Sequence, residues 1–135
     1  AYVMNLSGQT ASLGNALAAV GSAFAIMSPV IGWLGVAITG SDTSSNSLFG
    51  LLQVTAANKA GLNPILMASA NSSGGVMGKM ISPQNLAVAA AAVAMVNKEG
   101  DIFRKVVGWS LGLLAYFTLI VLLQAGPLSW MVPTR

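Results

Sequence analysis

The sequence predicts an all-α membrane protein in which transmembrane helices are combined with a re-entrant helical hairpin and a discontinuous helix. Three observations lead there. Of the 135 residues, 55% are hydrophobic and only nine are charged, whereas about a quarter of an ordinary soluble domain is charged. Residues 1–41, 43–58, 60–78, 80–97 and 106–134 carry no charge, and several of these runs reach the ~20 residues that cross a ~30 Å hydrocarbon core. Between the apolar runs stand short segments dense in Ser, Thr, Asn and Gly, whose irregular backbone is tolerated at depth only against protein or a water-lined cavity.

The first helix is expected over 10–27, rich in Ala and Gly and closed by Ser28-Pro29. Gly14, Ala18, Gly21 and Ala25 place small residues along one side of it, a pattern that lets helix backbones approach closely in lipid. Residues 29–60 read as a re-entrant hairpin. Pro29–Thr39 has eleven residues and reaches about half-way across a bilayer. A polar tip at 40–47, without one large apolar side chain, leads into the short apolar run Leu48–Ala60.

Asn63-Pro64 is a helix start, with Pro suited to the first turn. Residues 64–97 then read as one helix broken in the middle, unwound over 71–83, where Gly, Pro, side-chain hydrogen-bonders and Lys79 interrupt the apolar sequence. Five of the nine charges fall within 98–105. Three of them are cations, so the positive-inside rule assigns that loop to the cytoplasm and the Arg135 end to the outer face; Lys59 then sits on the wrong side. Residues 106–126 form the cleanest transmembrane helix, with Trp109 and Trp130 suited to the two interfacial belts.

The same composition excludes several chemistries. Without His or Cys there is no imidazole or thiolate metal site and no Cys nucleophile. We expect no enzyme activity, no catalytic residue, no metal and no cofactor. The net charge of +3 rests on residues at segment ends and reports topology rather than a nucleic-acid partner. Ser73–Met80 has the Gly-Lys of a phosphate loop, but Ser73 replaces its first Gly, Met80 replaces its Ser or Thr, and no strand pattern precedes it. The chain begins at Ala1 inside apolar sequence, without an initiator Met or a signal peptide. We expect 1–135 to be a single membrane-embedded fragment of something larger.

Asp42 and Lys79 stand apart from the other charges. A charge near the bilayer centre costs about 2.5–3.5 kcal/mol on insertion scales, so each needs a compensating environment. The plainer reading places both in solvated interfacial loops; their setting in dense Ser, Thr, Asn and Gly favours depth. Ser44, Ser45, Asn46 and Ser47 precede the helix from Leu48, and Ser82-Pro83 open the helix from Gln84. Both read as N-caps, and helix N-termini also suit a substrate carboxylate.

Thr39–Asn46 and Ala70–Gln84, with Gly32-Trp33-Leu34-Gly35-Val36 and the closing Leu128–Pro133, closely resemble the C-terminal part of bacterial lactate permeases. The resemblance covers nearly the whole chain and implies proton-coupled uptake of lactate, glycolate and related 2-hydroxy acids by a multi-pass protein of the bacterial cytoplasmic membrane. It also implies the second inverted repeat of a secondary transporter, each repeat holding a hairpin and a discontinuous helix, with the N-terminal part of the permease and the lipid bilayer as partners.

On this reading the tip at 41–47 and the break at 71–85 meet to form one side of a lactate site. Ser44, Ser45, Asn46, Asn71, Ser72 and Ser73, with the backbone at Gly74 and Gly75, would hold the carboxylate and 2-hydroxyl. Lys79 would balance the anion. Asp42, the only acid between apolar segments, would carry the proton. The alternatives are a small structural or accessory membrane protein, or an inactive fragment, without transport of its own, and a pore lined by the polar tip.

Overall fold

A computed structural model describes residues 2–95 and 97–133, and all its regular elements are helical. In chain order they are α1 (Tyr2–Leu6), α2 (Gln9–Ala18), a 3₁₀ turn at Gly21–Ala23, α3 (Phe24–Thr39), α4 (Asp42–Ala60), α5 (Pro64–Lys79), α6 (Pro83–Ala92), α7 (Glu99–Ala125) and a 3₁₀ turn at Ser129–Met131. Ala1, Arg135, assigned above to the outer face, and Val96, assigned to the broken helix, lie outside the described residues.

Several boundaries differ from the sequence reading, each for a local reason. The helix expected over 10–27 ends at Ala18, because Gly21 adopts a φ of 62° that no continuous helix accepts. Ser28-Pro29, expected to stop a helix, lies inside α3. Proline's φ suits a helix; what it forfeits is one backbone hydrogen bond, and its ring meets the preceding turn, at about 3 kcal/mol. Close packing of the same stretch of α3 against α5 offsets that cost. α3 is therefore a helix of 16 residues, not a half-helix of eleven, and Gly21–Thr39 as well as Glu99–Ala125 are long and apolar enough to cross a membrane.

The expected tip at 40–47 shrinks to Gly40 and Ser41. Gly40 ends α3 in the left-handed conformation (φ 70°), and the Ser41 side chain caps α4 by accepting from the Ser44 N–H at 3.2 Å. Ser44, Ser45, Asn46 and Ser47 thus lie within the first turns of α4, not ahead of it. The expected unwinding over 71–83 is also too long. α5 stays helical through Lys79, and only Met80–Ser82 separate it from α6. Here the Ser and Gly residues serve helix contact instead of breaking the helix. The broken helix expected to continue to 97 ends at Ala92, before the positive φ of Ala94 and Asn97. The charged segment 98–105 is mostly the start of α7, whose first turn carries Glu99 and Asp101, favourable at a helix N-terminus.

α3 and α5 make the tightest contact in the fold. A Cβ added to Gly32 would overlap the carbonyl oxygen of Asn71; one on Gly74 would overlap that of Pro29, and one on Gly78 that of Trp33. Three backbone-to-backbone approaches along one crossing leave room only for hydrogen atoms. Around it, Phe24, Ala25, Ala56, Ala57, Leu66, Met67 and Ala70 form the core, closed by Val121 of α7 and Val132 near the C-terminus.

The start of α5 depends on one side chain. Asn63 accepts from the N–H groups of Ile65 (2.9 Å) and Leu66 (3.1 Å), and its amide donates to the Pro133 carbonyl at 3.0 Å. We expect Asn63→Ala to cost about 1 kcal/mol, a normal loss for an N-cap, read as a lower thermal midpoint in detergent. Asn63→Asp should keep most of that stability.

Candidate functional site

Starting α4 at Asp42 sets the register of everything that follows. Asp42, Asn46 and Gln53 are separated by four and seven residues and share one face of α4. That face meets the stretch of α5 holding Asn71 and Ser72. Asn71 and Gln53 are fully buried, so their amides need partners within the protein.

Asn71 and the Gln53 Nε2 find them in one continuous network, while Gln53 Oε1 has none among the described residues. The Asn46 amide donates to Asp42 Oδ2 (3.0 Å) and to Ser72 Oγ (3.1 Å), and the Ser72 hydroxyl donates to Asp42 Oδ2 at 2.9 Å. Asn46 Oδ1 accepts from the Asn71 amide at 2.8 Å. Asn71 Oδ1 in turn accepts from Gln53 Nε2 at 3.0 Å, which also donates to the Ser28 carbonyl at 3.2 Å. The Ser28 hydroxyl donates to the Met67 carbonyl at 2.9 Å, tying the inner end back to α5. The network crosses α3, α4 and α5 and contains one ionisable group.

Asp42 is held through Oδ2 only. Its Oδ1 is buried and has no hydrogen-bond partner among the described residues. It lies over Gly75, where an added Cβ would come within 2.6 Å of it. A carboxyl oxygen so placed can accept a proton or a donor without disturbing the bonds on the other oxygen.

The predicted residues divide accordingly. Asp42, Asn46, Asn71 and Ser72 come together, and Gly74 and Gly75 shape the wall beside them. Ser45 is buried, but its hydroxyl turns against Gly35 of α3. Ser44 is exposed, with its N–H on the Ser41 cap, and Ser73 is half-buried outside the network. Lys79 is exposed, seven residues and about 10 Å of helix rise beyond Ser72.

Gln53 and Ser28 were missed. Gln53 had a signal, the shared stripe with Asp42 and Asn46, but it stands in an otherwise apolar run; Ser28 reads as part of a Ser-Pro stop.

The α5–α6 break is closed by side chains. The Ser110 hydroxyl of α7 donates to the Met77 carbonyl at 2.6 Å and accepts from the Trp33 indole at 2.9 Å. The Lys79 carbonyl accepts from Ser82 Oγ and the Asn85 amide, both at 3.0 Å. Gly40 packs against Gln84, so the turn between α3 and α4 abuts the start of α6. Among the described residues no cluster of Asp or Glu is suited to hold a metal ion. The site offers amides, hydroxyls, backbone groups and one carboxyl.

Comparison with known proteins follows the same lines. A family model described as L-lactate permease matches residues 1–127. Among curated relatives, the L-lactate permease of Bacillus subtilis (strain 168) is 56% identical over 133 residues, covering 98% of this chain and 24% of the relative. The L-lactate permease of Escherichia coli (strain K12) is 52% identical with the same coverage. A glycolate permease of Escherichia coli (strain K12) is 51% identical over 125 residues, 93% of this chain and 22% of the relative. The chain thus spans about a quarter of the length of these relatives. No solved structure matches it.

Proposed function

Because the chain belongs to the L-lactate permease family and is a membrane protein, we propose that it forms part of a transporter for lactate, glycolate and related 2-hydroxy monocarboxylates, working by proton symport in the bacterial cytoplasmic membrane. The observation that carries this reading is the Asp42–Ser72–Asn46–Asn71 network, with a buried carboxyl oxygen beside Gly75 that has no partner among the described residues.

A monocarboxylate arriving beside an ionised Asp42 meets like charge in a poorly solvated place, which is costly. Protonation of Asp42 removes the repulsion and supplies a donor, so anion and proton bind together and cross as a neutral pair. Asn46, Asn71 and Ser72 offer the hydroxyl and amide groups for the substrate carboxylate and 2-hydroxyl, with Ser44, Ser45 and Ser73 at the margins of the same segments. Lys79, exposed beyond the network, is assigned attraction of the anion rather than its direct ligation.

The two-residue turn at Gly40-Ser41, set against the α5–α6 break, supports a re-entrant hairpin facing a discontinuous helix. In this proposal these elements belong to the second of two inverted repeats of a multi-pass permease. The opposing wall of the site comes from the part of a full-length permease outside this segment.

The test is lactate uptake by proteoliposomes of the intact permease under an imposed proton gradient. We expect accumulation above the external concentration, abolished by a protonophore. Equilibration without accumulation would replace symport by a pore, and no flux at all would favour an accessory role.

A further inference from the structure

We propose that Met95 and the first two turns of α7 bind the headgroup of an anionic glycerophospholipid. A groove of about 550 Å³ lies there, lined by Met95, Asp101, Ile102, Arg104, Lys105 and Val106. Lys98 precedes this stretch in sequence, at the N-cap position of α7. Lys98, Arg104 and Lys105 are all exposed and make no hydrogen bond or ion pair through their side chains among the described residues. Two of these cations, Arg104 and Lys105, therefore border a half-buried apolar floor with their donors unspent.

The position of the groove favours lipid over a soluble anion. α7 has 27 residues and a length of about 40 Å, which exceeds a ~30 Å hydrocarbon core by about two turns. All its charges lie within 99–105, so that end projects into the headgroup layer. Trp109 is 72% exposed one turn beyond Lys105, at the level where indoles meet the interface. Basic pockets beside a span in this layer recognise anionic headgroups. The phosphodiester fits Arg104 and Lys105, while Ile102, Val106 and Met95 take the first carbons of an acyl chain. Asp101 lines the same groove and selects for a headgroup with a hydroxyl to donate, as in phosphatidylglycerol. The inference rests on the membrane location alone and stands apart from the transport reading.

The test uses spin-labelled lipids and the intact protein in bilayers of phosphatidylcholine. We expect spin-labelled phosphatidylglycerol to be retained at the protein surface in preference to phosphatidylcholine. The pair R104Q/K105Q should weaken that preference roughly 30-fold, two cations' worth, whereas R104K/K105R retains it and Lys59→Gln leaves it unchanged. An unchanged preference in R104Q/K105Q would overturn the proposal. So would equal retention of phosphatidylethanolamine, or displacement of the lipid by inorganic phosphate. Circular dichroism of each variant reports whether the helices are intact, and R104K/K105R keeps the test decisive if R104Q/K105Q fails to fold.

Discussion

Gly74→Val should prevent α3 and α5 from packing and leave little folded protein in the membrane. The added side chain meets the Pro29 carbonyl, and nothing in the backbone of a buried helix can turn aside as a flexible side chain would. Overpacking a well-filled interior costs about 1–3 kcal/mol even where neighbours can adjust, so a clash with backbone should cost about 3 kcal/mol or more. The damage would spread, because this crossing carries Asn71 and Ser72 to their partners on α4. Gly32→Val, meeting the Asn71 carbonyl, should behave alike. Gly50 supplies the contrast. It lies inside α4 with nothing within 4 Å of an added Cβ, and Gly50→Ala should raise stability by up to about 1 kcal/mol through helix propensity. Thermal unfolding in detergent and the yield of monodisperse protein check all three. Normal yield and stability for Gly74→Val would show that α3 and α5 do not cross as described.

Asp42→Asn should abolish proton-driven accumulation while leaving the fold in place. Asparagine has the same shape and can still accept at Oδ1 from the Asn46 amide and the Ser72 hydroxyl, so the network retains its geometry. It cannot exchange a proton. Uptake under an imposed proton gradient should fall at least tenfold, equivalent to about 1.4 kcal/mol, with any residual flux stopping at equal concentrations. Asp42→Leu should lose stability as well, because it leaves the Asn46 amide and the Ser72 hydroxyl short of an acceptor. Undiminished accumulation by Asp42→Asn would remove Asp42 from the coupling role.

Periodicity and composition carry far in this chain. Nine charges in 135 residues and their segregation pointed to helices in lipid, and the motifs around Asp42 and Asn71 were enough to indicate the lactate permease family. Boundaries were harder. Ser, Gly and Asn ordinarily mark loops because they compete with the helix for hydrogen bonds or add backbone freedom. In α4 and α5 they sit at helix crossings, where small size and buried polar partners outweigh propensity. The same misreading moved the start of α4 six residues towards the C-terminus and unwound the end of α5.

The local pattern of residues determined the helical class, the capping at Asn63 and Ser82, and the identity of the polar segments. Only the tertiary structure decided which polar groups meet. It selected Asn46, Asn71 and Ser72 as partners of Asp42, turned Ser44 and Lys79 outward, and drew Gln53 and Ser28 into the network. The physical reason is that sequence spacing reports the face of a helix, whereas a buried amide or carboxyl is satisfied by whatever another helix brings opposite that face. Here the opposing helix is set by glycines that permit backbones to touch.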